Sequence, residues 1–356
     1  MKKIMRSKMF FLGLVLLLSL SLLAGCGAKQ EPVKEEPKQE APKEEPKKTR
    51  IIRFGMGLND KHPQFKGAEE FKKIVEEKTN GGIKVELYHS GQLGDDRTMM
   101  EALQLGTQEM TCPSTAPIAN FVKEFNIYDF PFIFPSVEVA DKVLDGPIGK
   151  ELLDKLPAQG IIGLNYWENG YRQLTNNKRP VAKVEDFKGL KIRTMENQVH
   201  LEAFRALGAN PTPMPFPELF TAMQQGTVDG QENPFATIYL QKFYEVQKYV
   251  SSTNHVYSPF VLMMSKKFWD GSTPEEQKIF MEAATAARDL ERKLNREANA
   301  KYVEDLKTAG MTYTEVSPEV ITQMAEVVKP VIEKFKDKVG ADFADRFYKA
   351  IEDAQK

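Results

Sequence analysis

IIRFGMGLNDKHPQFKGAEEFKKIVEEKTNGGIKVELY, residues 51–88, decides the architecture. IIRFGMG (51–57) has the composition of a strand. Phe65, Ala68, Phe71, Ile74 and Val75 then recur at helical spacing, and Asn80-Gly81-Gly82 stops that helix. IKVELY (83–88) alternates, with Ile83, Val85 and Leu87 on one face. Outward from this strand–helix–strand unit, Asp95 is placed to cap a helix ending near Leu105-Gly106. Further strands are expected at 109–112, 161–167, 190–194, 227–231 and 260–265, with helices between most of them. Such alternation argues for an α/β fold with parallel sheets covered on both faces, and about 300 residues suit two lobes better than one. After Ser272-Thr273-Pro274, residues 275–308 contain no Gly or Pro. A helix of that length runs ~50 Å at 1.5 Å per residue. Its apolar positions hold no heptad, so it is expected to brace two lobes. Pro330 predicts a kink or break in a later helix.

The first 26 residues read as a secretory leader. Lys2, Lys3, Arg6 and Lys8 precede an apolar run from Phe10 to Leu23, shorter than the ~20 residues that span a bilayer. Leu23-Ala24-Gly25-Cys26 resembles the lipobox of bacterial lipoproteins, which implies lipidation at Cys26. Residues 27–49 hold six Glu, six Lys and four Pro, with Val33 the only large apolar side chain. Such a stretch buries too little apolar surface to order itself, and Pro-spaced chain is extended. It reads as a tether between a membrane anchor and the folded part. With Cys26 lipidated, Cys112 has no disulfide partner. The formal charge of −1 becomes −5 once the four leader cations are removed, which gives no reason to expect nucleic acid.

Enzyme signatures are missing: the chain contains no GxxxxGK[ST], HExxH, CxxC or GxSxG. FGMGLND (54–60) begins like a dinucleotide fingerprint but places Asp60 at the third glycine position. His62, His89, His200 and His255 lack metal-ligand spacing and read as surface or hydrogen-bonded structural residues. Cys112 reads as a small buried hydrophobe. Neither a cofactor nor a metal is expected.

GQLGDDR (91–97), NGYRQLTNNKRPV (169–181), DFKGLKIRTMEN (186–197) and ALGANPTPMPFPELFTAMQQGTVDGQENP (206–234) resemble the DctP-type solute-binding proteins of tripartite ATP-independent (TRAP) transporters. The likeness runs from about Ile51 to beyond Phe260. It implies a two-lobed, periplasmic-binding-protein-like (Venus flytrap) receptor with a hinge, closing over an organic acid and docking on a TRAP permease. Lobe I is expected over 50–169 and 259–298, and lobe II over 170–258 and 299–356. The receptor would sit outside the cytoplasm, in the periplasm or on the outer face of the membrane, held by its lipid. A sensor presenting the same ligand to a membrane histidine kinase is the alternative reading; a surface hydrolase is disfavoured by the missing catalytic motifs.

The resemblance also implies site residues. Arg193, at the end of GLKIR, matches the family arginine that pairs with the substrate carboxylate; a guanidinium fork fits a carboxylate bidentately. Arg172 matches a second arginine that reaches the same carboxylate or another polar group. Asn233 matches a ligand-bonding asparagine, and Asp96 a position that contacts ligand in some branches. Phe216 and Trp167 are either an apolar wall under the ligand or core packing. Asn197 and Glu196 follow Arg193 where many relatives read differently, and either side chain suits a ligand hydroxyl. Pro113–Pro117 carries no charge, which disfavours sialic acid. A C4-dicarboxylate, a sugar acid or a related hydroxy acid remains.

Overall fold

Residues 49–356 are described by a computed structural model; the leader, Cys26 and the tether up to residue 48 lie outside the described residues. Strand β1 (Arg50–Gly55) pairs in parallel with β2 (Ile83–Tyr88) and β3 (Met110–Thr111), and β4 (Ile161–Tyr171) completes that side of the chain. A second sheet collects β5 (Gln173–Asn176), β6 (Lys191–Thr194), β7 (Asn210–Pro213), β8 (Gly230–Asn233) and β9 (Tyr249–Ser251). The chain then returns to the first sheet as β10 (Tyr257–Ser265) and adds β11 (Thr312–Thr314) to the second. The strand orders are β2-β1-β3-β10-β4 and β11-β9-β5-β8-β6-β7. The molecule is thus a two-sheet, two-lobed α/β protein. Its helix Pro63–Lys78 and strand β2 lie where residues 51–88 place them.

The sheets are mixed, not wholly parallel as expected. β10 runs antiparallel to β3 and β4, and β5 runs antiparallel to β8 and β9. The cause is the double passage between sheets. The chain leaves β4 for β5, and β9 for β10, without a crossover helix, and each arriving strand is free to enter in the opposite sense. β10 is buried along its whole length: Phe260, Leu262 and Met264 enter one core, Tyr257, Val261 and Met263 the other. The strand expected at 227–231 begins only at Gly230. The helix Leu219–Gln224 ends in a turn through Gly226 (φ 71°), and that turn consumes the residues before it. β7 contains Pro211 and Pro213 and takes an edge position, where lost donors matter least.

The helix Pro274–Thr308 bears out the long uninterrupted run. Thr273 and Glu276 form a capping box at its start. Its first half supplies Ile279, Phe280, Ala283 and Ala287 to the core of the first sheet. Near its end Tyr302 meets Tyr239 at 5.6 Å, and Leu306 enters a core of the second sheet. It braces both. The helix Pro318–Val339 continues through Pro330, so of the kink or break expected there the break does not occur. The carbonyl that Pro330 leaves without a donor belongs to Glu326; both residues are exposed, so water serves it.

The end of the chain packs otherwise than the expected lobe II segment 299–356. Met324 and Val328 sit in the core with Ile192 and Phe204. Val331, Phe335, Val339, Phe343, Phe347 and Ile351 join Tyr128, Tyr166 and Val261 of the first lobe. An aromatic cluster fixes this, with Phe347 at 5.5 Å from Tyr128 and 5.9 Å from Phe134. The last two helices are therefore a second brace.

Candidate ligand cleft

A cleft with about 590 Å³ of space free of protein atoms, counting its open mouth, is lined from both sheets. Arg193 and Asn233 reach it from β6 and β8, Asp96 from the start of the helix Asp96–Leu105, and Phe216 from the loop after β7. With Glu196, which also lines the cleft, these are five of the eight residues named from the sequence.

Arg193 is buried, on a strand flanked by β7 and β8, opposite Thr212 and Gln231. Its Nε donates to Met214 O at 2.8 Å, while the buried Nη1 has no hydrogen-bond partner among the described residues. An orphaned guanidinium nitrogen costs free energy unless a ligand completes it. The guanidinium also lies over the Phe216 ring at 5.9 Å, which steers its plane. Burial pulls its pKa down to about 10, with Arg172 pushing the same way and Glu232, Asp96 and Glu196 opposing. It stays cationic at neutral pH.

Asp95 caps the helix through Thr98 N at 2.9 Å, as expected. Asp96 is left facing the cleft, where its Oδ2 accepts from Ser114 N at 3.3 Å. Burial lifts its carboxyl to about 6, against the Ser114 amide and Arg193, which favour the ionised form. Asn233 Nδ2 donates to Gln231 Oε1 at 2.5 Å. Phe216 packs on Phe243 at 6.0 Å and presents its other side to Arg193, so it serves wall and core together.

Three candidates lie elsewhere. Arg172, fully buried at the passage from β4 to β5, does not line the cleft. Its guanidinium embraces Glu232, with Nη2 at 2.8 Å from Oε1 and 2.6 Å from the Glu232 carbonyl, and Nε on Oε2. Burial would raise the Glu232 pKa; Arg172 and the His255 hydrogen bond (3.1 Å) overturn this and hold it well below the usual carboxylate range. Arg172 retains one buried Nη1 without a partner among the described residues. Trp167 is core: fully buried, edge-on to Phe54 at 6.4 Å, its Nε1 donating to Asn165 Oδ1 at 3.0 Å. Asn197 caps the helix Gln198–Ala206. Its Oδ1 accepts from Val199 N and His200 N at 2.7 and 3.3 Å, and its Nδ2 donates to Ala116 O and Asn126 Oδ1. It has no capacity left for a ligand. Asn197→Ala is therefore expected to lower stability by about 1 kcal/mol in a denaturant titration while leaving acid affinity unchanged. An affinity loss matching that of an Arg193 variant would restore it as a ligand contact.

The sequence reading passed over Gln64 and Asn169. Gln64 Nε2 donates to Cys112 O at 2.8 Å, and its buried Oε1 has no partner among the described residues. Asn169 lies in the cleft wall just before Gly170, whose φ of 111° turns the chain into the passage to the second sheet. It stood inside the motif NGYR, so the signal was present. His62 is structural: Nδ1 accepts from Gln64 N at 3.1 Å, and burial pulls its pKa down to about 3. Cys112 is buried and has its thiol pKa pushed up, as a small hydrophobe would.

Residues 54–338 match the bacterial extracellular solute-binding protein family 7, DctP. The chain is 45% identical to the sugar acid binding protein of Advenella mimigardefordensis, solved with galactonate; the match covers 86% of this chain and 99% of that one, with a TM-score of 0.84. A TRAP periplasmic solute-binding protein from Polaromonas, bound to D-erythronate, is 43% identical, covering 84% of this chain and 98% of that one, with a TM-score of 0.81. The C4-dicarboxylate-binding periplasmic protein of Rhodobacter capsulatus is 37% identical over 82% of this chain and 88% of its own length.

Proposed function

The chain belongs to the family 7 extracellular solute-binding proteins, the DctP-type receptors of TRAP transporters, and from that premise we propose that it captures a small organic acid on Arg193 and delivers it to a membrane permease. The observation that carries the proposal is the buried Arg193 Nη1, a charged donor without a partner among the described residues, in a cleft walled from both sheets. A carboxylate completes it with a charge-assisted bond. The family's named ligands, a sugar acid and C4-dicarboxylates among them, fit that requirement. The protein acts by binding and release, without turnover.

The two passages between sheets serve as the hinge. Arg172 N donates to Val256 O at 2.8 Å, tying them to each other, and Asn295 of the long helix holds the carbonyls of Glu168 and Asn169. A ligand favours closure by touching both lobes at once, through Arg193, Asn233 and Phe216 on one side and Asp96 on the other. Arg172 acts as the buried anchor of that hinge. Cys26 carries the lipid that keeps the receptor beside its permease.

Thermal unfolding against a panel of carboxylates and their uncharged analogues tests the reading. A ligand at 100 times its Kd adds ~2.7 kcal/mol to the native state, a midpoint shift of about 5 °C for a chain of this size. Shifts confined to acids are expected. Equal shifts with the uncharged analogues, or none with any acid, would overturn it.

A further inference from the structure

The charges around the cleft are unevenly matched. Its lining includes two cations, Arg97 and Arg193, and three carboxylates, Asp95, Asp96 and Glu196. Arg97 is exposed and spent on Glu101, at 3.0 Å. Asp95 is spent on Thr98, through both its amide and its hydroxyl. One cation with an orphaned donor is left, together with two carboxylates that form no ion pair within 4 Å among the described residues. Gln64 adds a buried acceptor without a donor.

A ligand meets this set well if it brings one carboxylate and, on its remaining carbons, hydroxyl protons to give. A carboxylate accepts hydrogen bonds and repels a second carboxylate, whereas a hydroxyl donates to it. Buried acceptors left unsatisfied select strongly for the ligand that supplies the missing donor. A diacid brings a second anion to a cleft whose lining holds no second buried cation among the described residues, and like charges at close quarters are costly.

We propose that the cleft selects monocarboxylic polyhydroxy acids over dicarboxylic acids, and that Asp96, with the Gln64 carbonyl oxygen in the same cleft lining, is the filter. The proposal rests on the organic-acid reading above. It adds to that reading which end groups are admitted. The same residue that contributes a hydroxyl acceptor to the right ligand contributes a repulsive charge to the wrong one, and specificity commonly combines the two.

Paired acids that differ only at the far end test this by titration calorimetry on the full chain at pH 7.5. Threonate against tartrate, and galactonate against galactarate, each compare a terminal CH2OH with a carboxylate at constant carbon number. In wild type the monoacid of whichever pair fits is expected to bind about tenfold tighter or more. Asp96→Asn should narrow that ratio by a similar factor, chiefly through a gain for the diacid. Gln64→Glu, which adds a charge at the other acceptor of the cleft lining, should widen it. Diacids binding wild type as tightly as monoacids would overturn the proposal and leave the organic-acid reading standing. So would an Asp96→Asn variant, folded by its unfolding transition, that keeps the wild-type ratio. Failure of all four acids to bind folded wild type would count against both.

Discussion

Arg193→Ala is expected to weaken organic-acid binding by about 2–5 kcal/mol, roughly thirtyfold to several thousandfold. The estimate is that for removing one partner of a desolvated charge pair, since the ligand carboxylate then enters a buried site without its counter-charge. Arg193→Lys should recover only part of the loss. Lysine keeps the charge but not the planar fork, nor the simultaneous bond from Nε to Met214 O and contact with Phe216. Stability should respond in the opposite sense: the unliganded Ala variant sheds a buried donor that has no partner, so its midpoint should hold or rise. Calorimetric titration reads the first effect and thermal unfolding the second. An Ala variant that binds like wild type would remove Arg193 from the site.

Glu232→Gln acts on stability. The carboxylate is fully buried against the Arg172 fork and His255, and removing its charge strands a buried guanidinium. Breaking such a pair from one side typically costs about 3–5 kcal/mol. Replacing both partners by apolar residues should cost less than the single change, because no uncompensated charge remains. The pH dependence has a definite sign. Because the folded-state pKa of Glu232 is depressed, its contribution is present above the unfolded value of 4.5 and is lost only as pH falls through the lower folded value. The gap between wild type and variant should therefore stay constant from neutral pH to about 5 and close only in stronger acid. A gap that already closes near pH 6 would mean that the pair is not the dominant partner of Glu232.

The local elements were legible from residue pattern alone where propensity and packing agree. Residues 51–88, the Asp95 cap and the long helix after Pro274 all lie where their spacing puts them. What escaped the pattern was set by tertiary context. β10 is antiparallel because of where the chain has come from, which no local period records. Pro330 continues its helix because the carbonyl it deprives faces water. The last helix rejoins the first lobe through Phe343 and Phe347, and an amphipathic period does not name the surface it covers.

The site divides the same way. Arg193, Asn233, Asp96 and Phe216 came from motif resemblance and share one cleft. Arg172 and Asn197 lie in the same stretches, but Glu232 holds Arg172 away from the cleft lining, and the polar atoms of Asn197 are consumed within the protein. A motif marks residues that matter to a fold and residues that matter to a ligand without separating them. Glu232, one residue beyond the strand expected at 227–231, was not singled out from the sequence; the pairing of β5 with β8 sets it beside Arg172.

The most direct measurement is a crystal structure of the protein with an acid that raises its unfolding midpoint. The account predicts the ligand in the cleft between the two sheets, with a carboxylate oxygen about 2.7–2.9 Å from Arg193 Nη1 and the rest of the molecule against Phe216 and Asp96. A carboxylate bound by other residues, with Arg193 still bonded only to Met214, would contradict it.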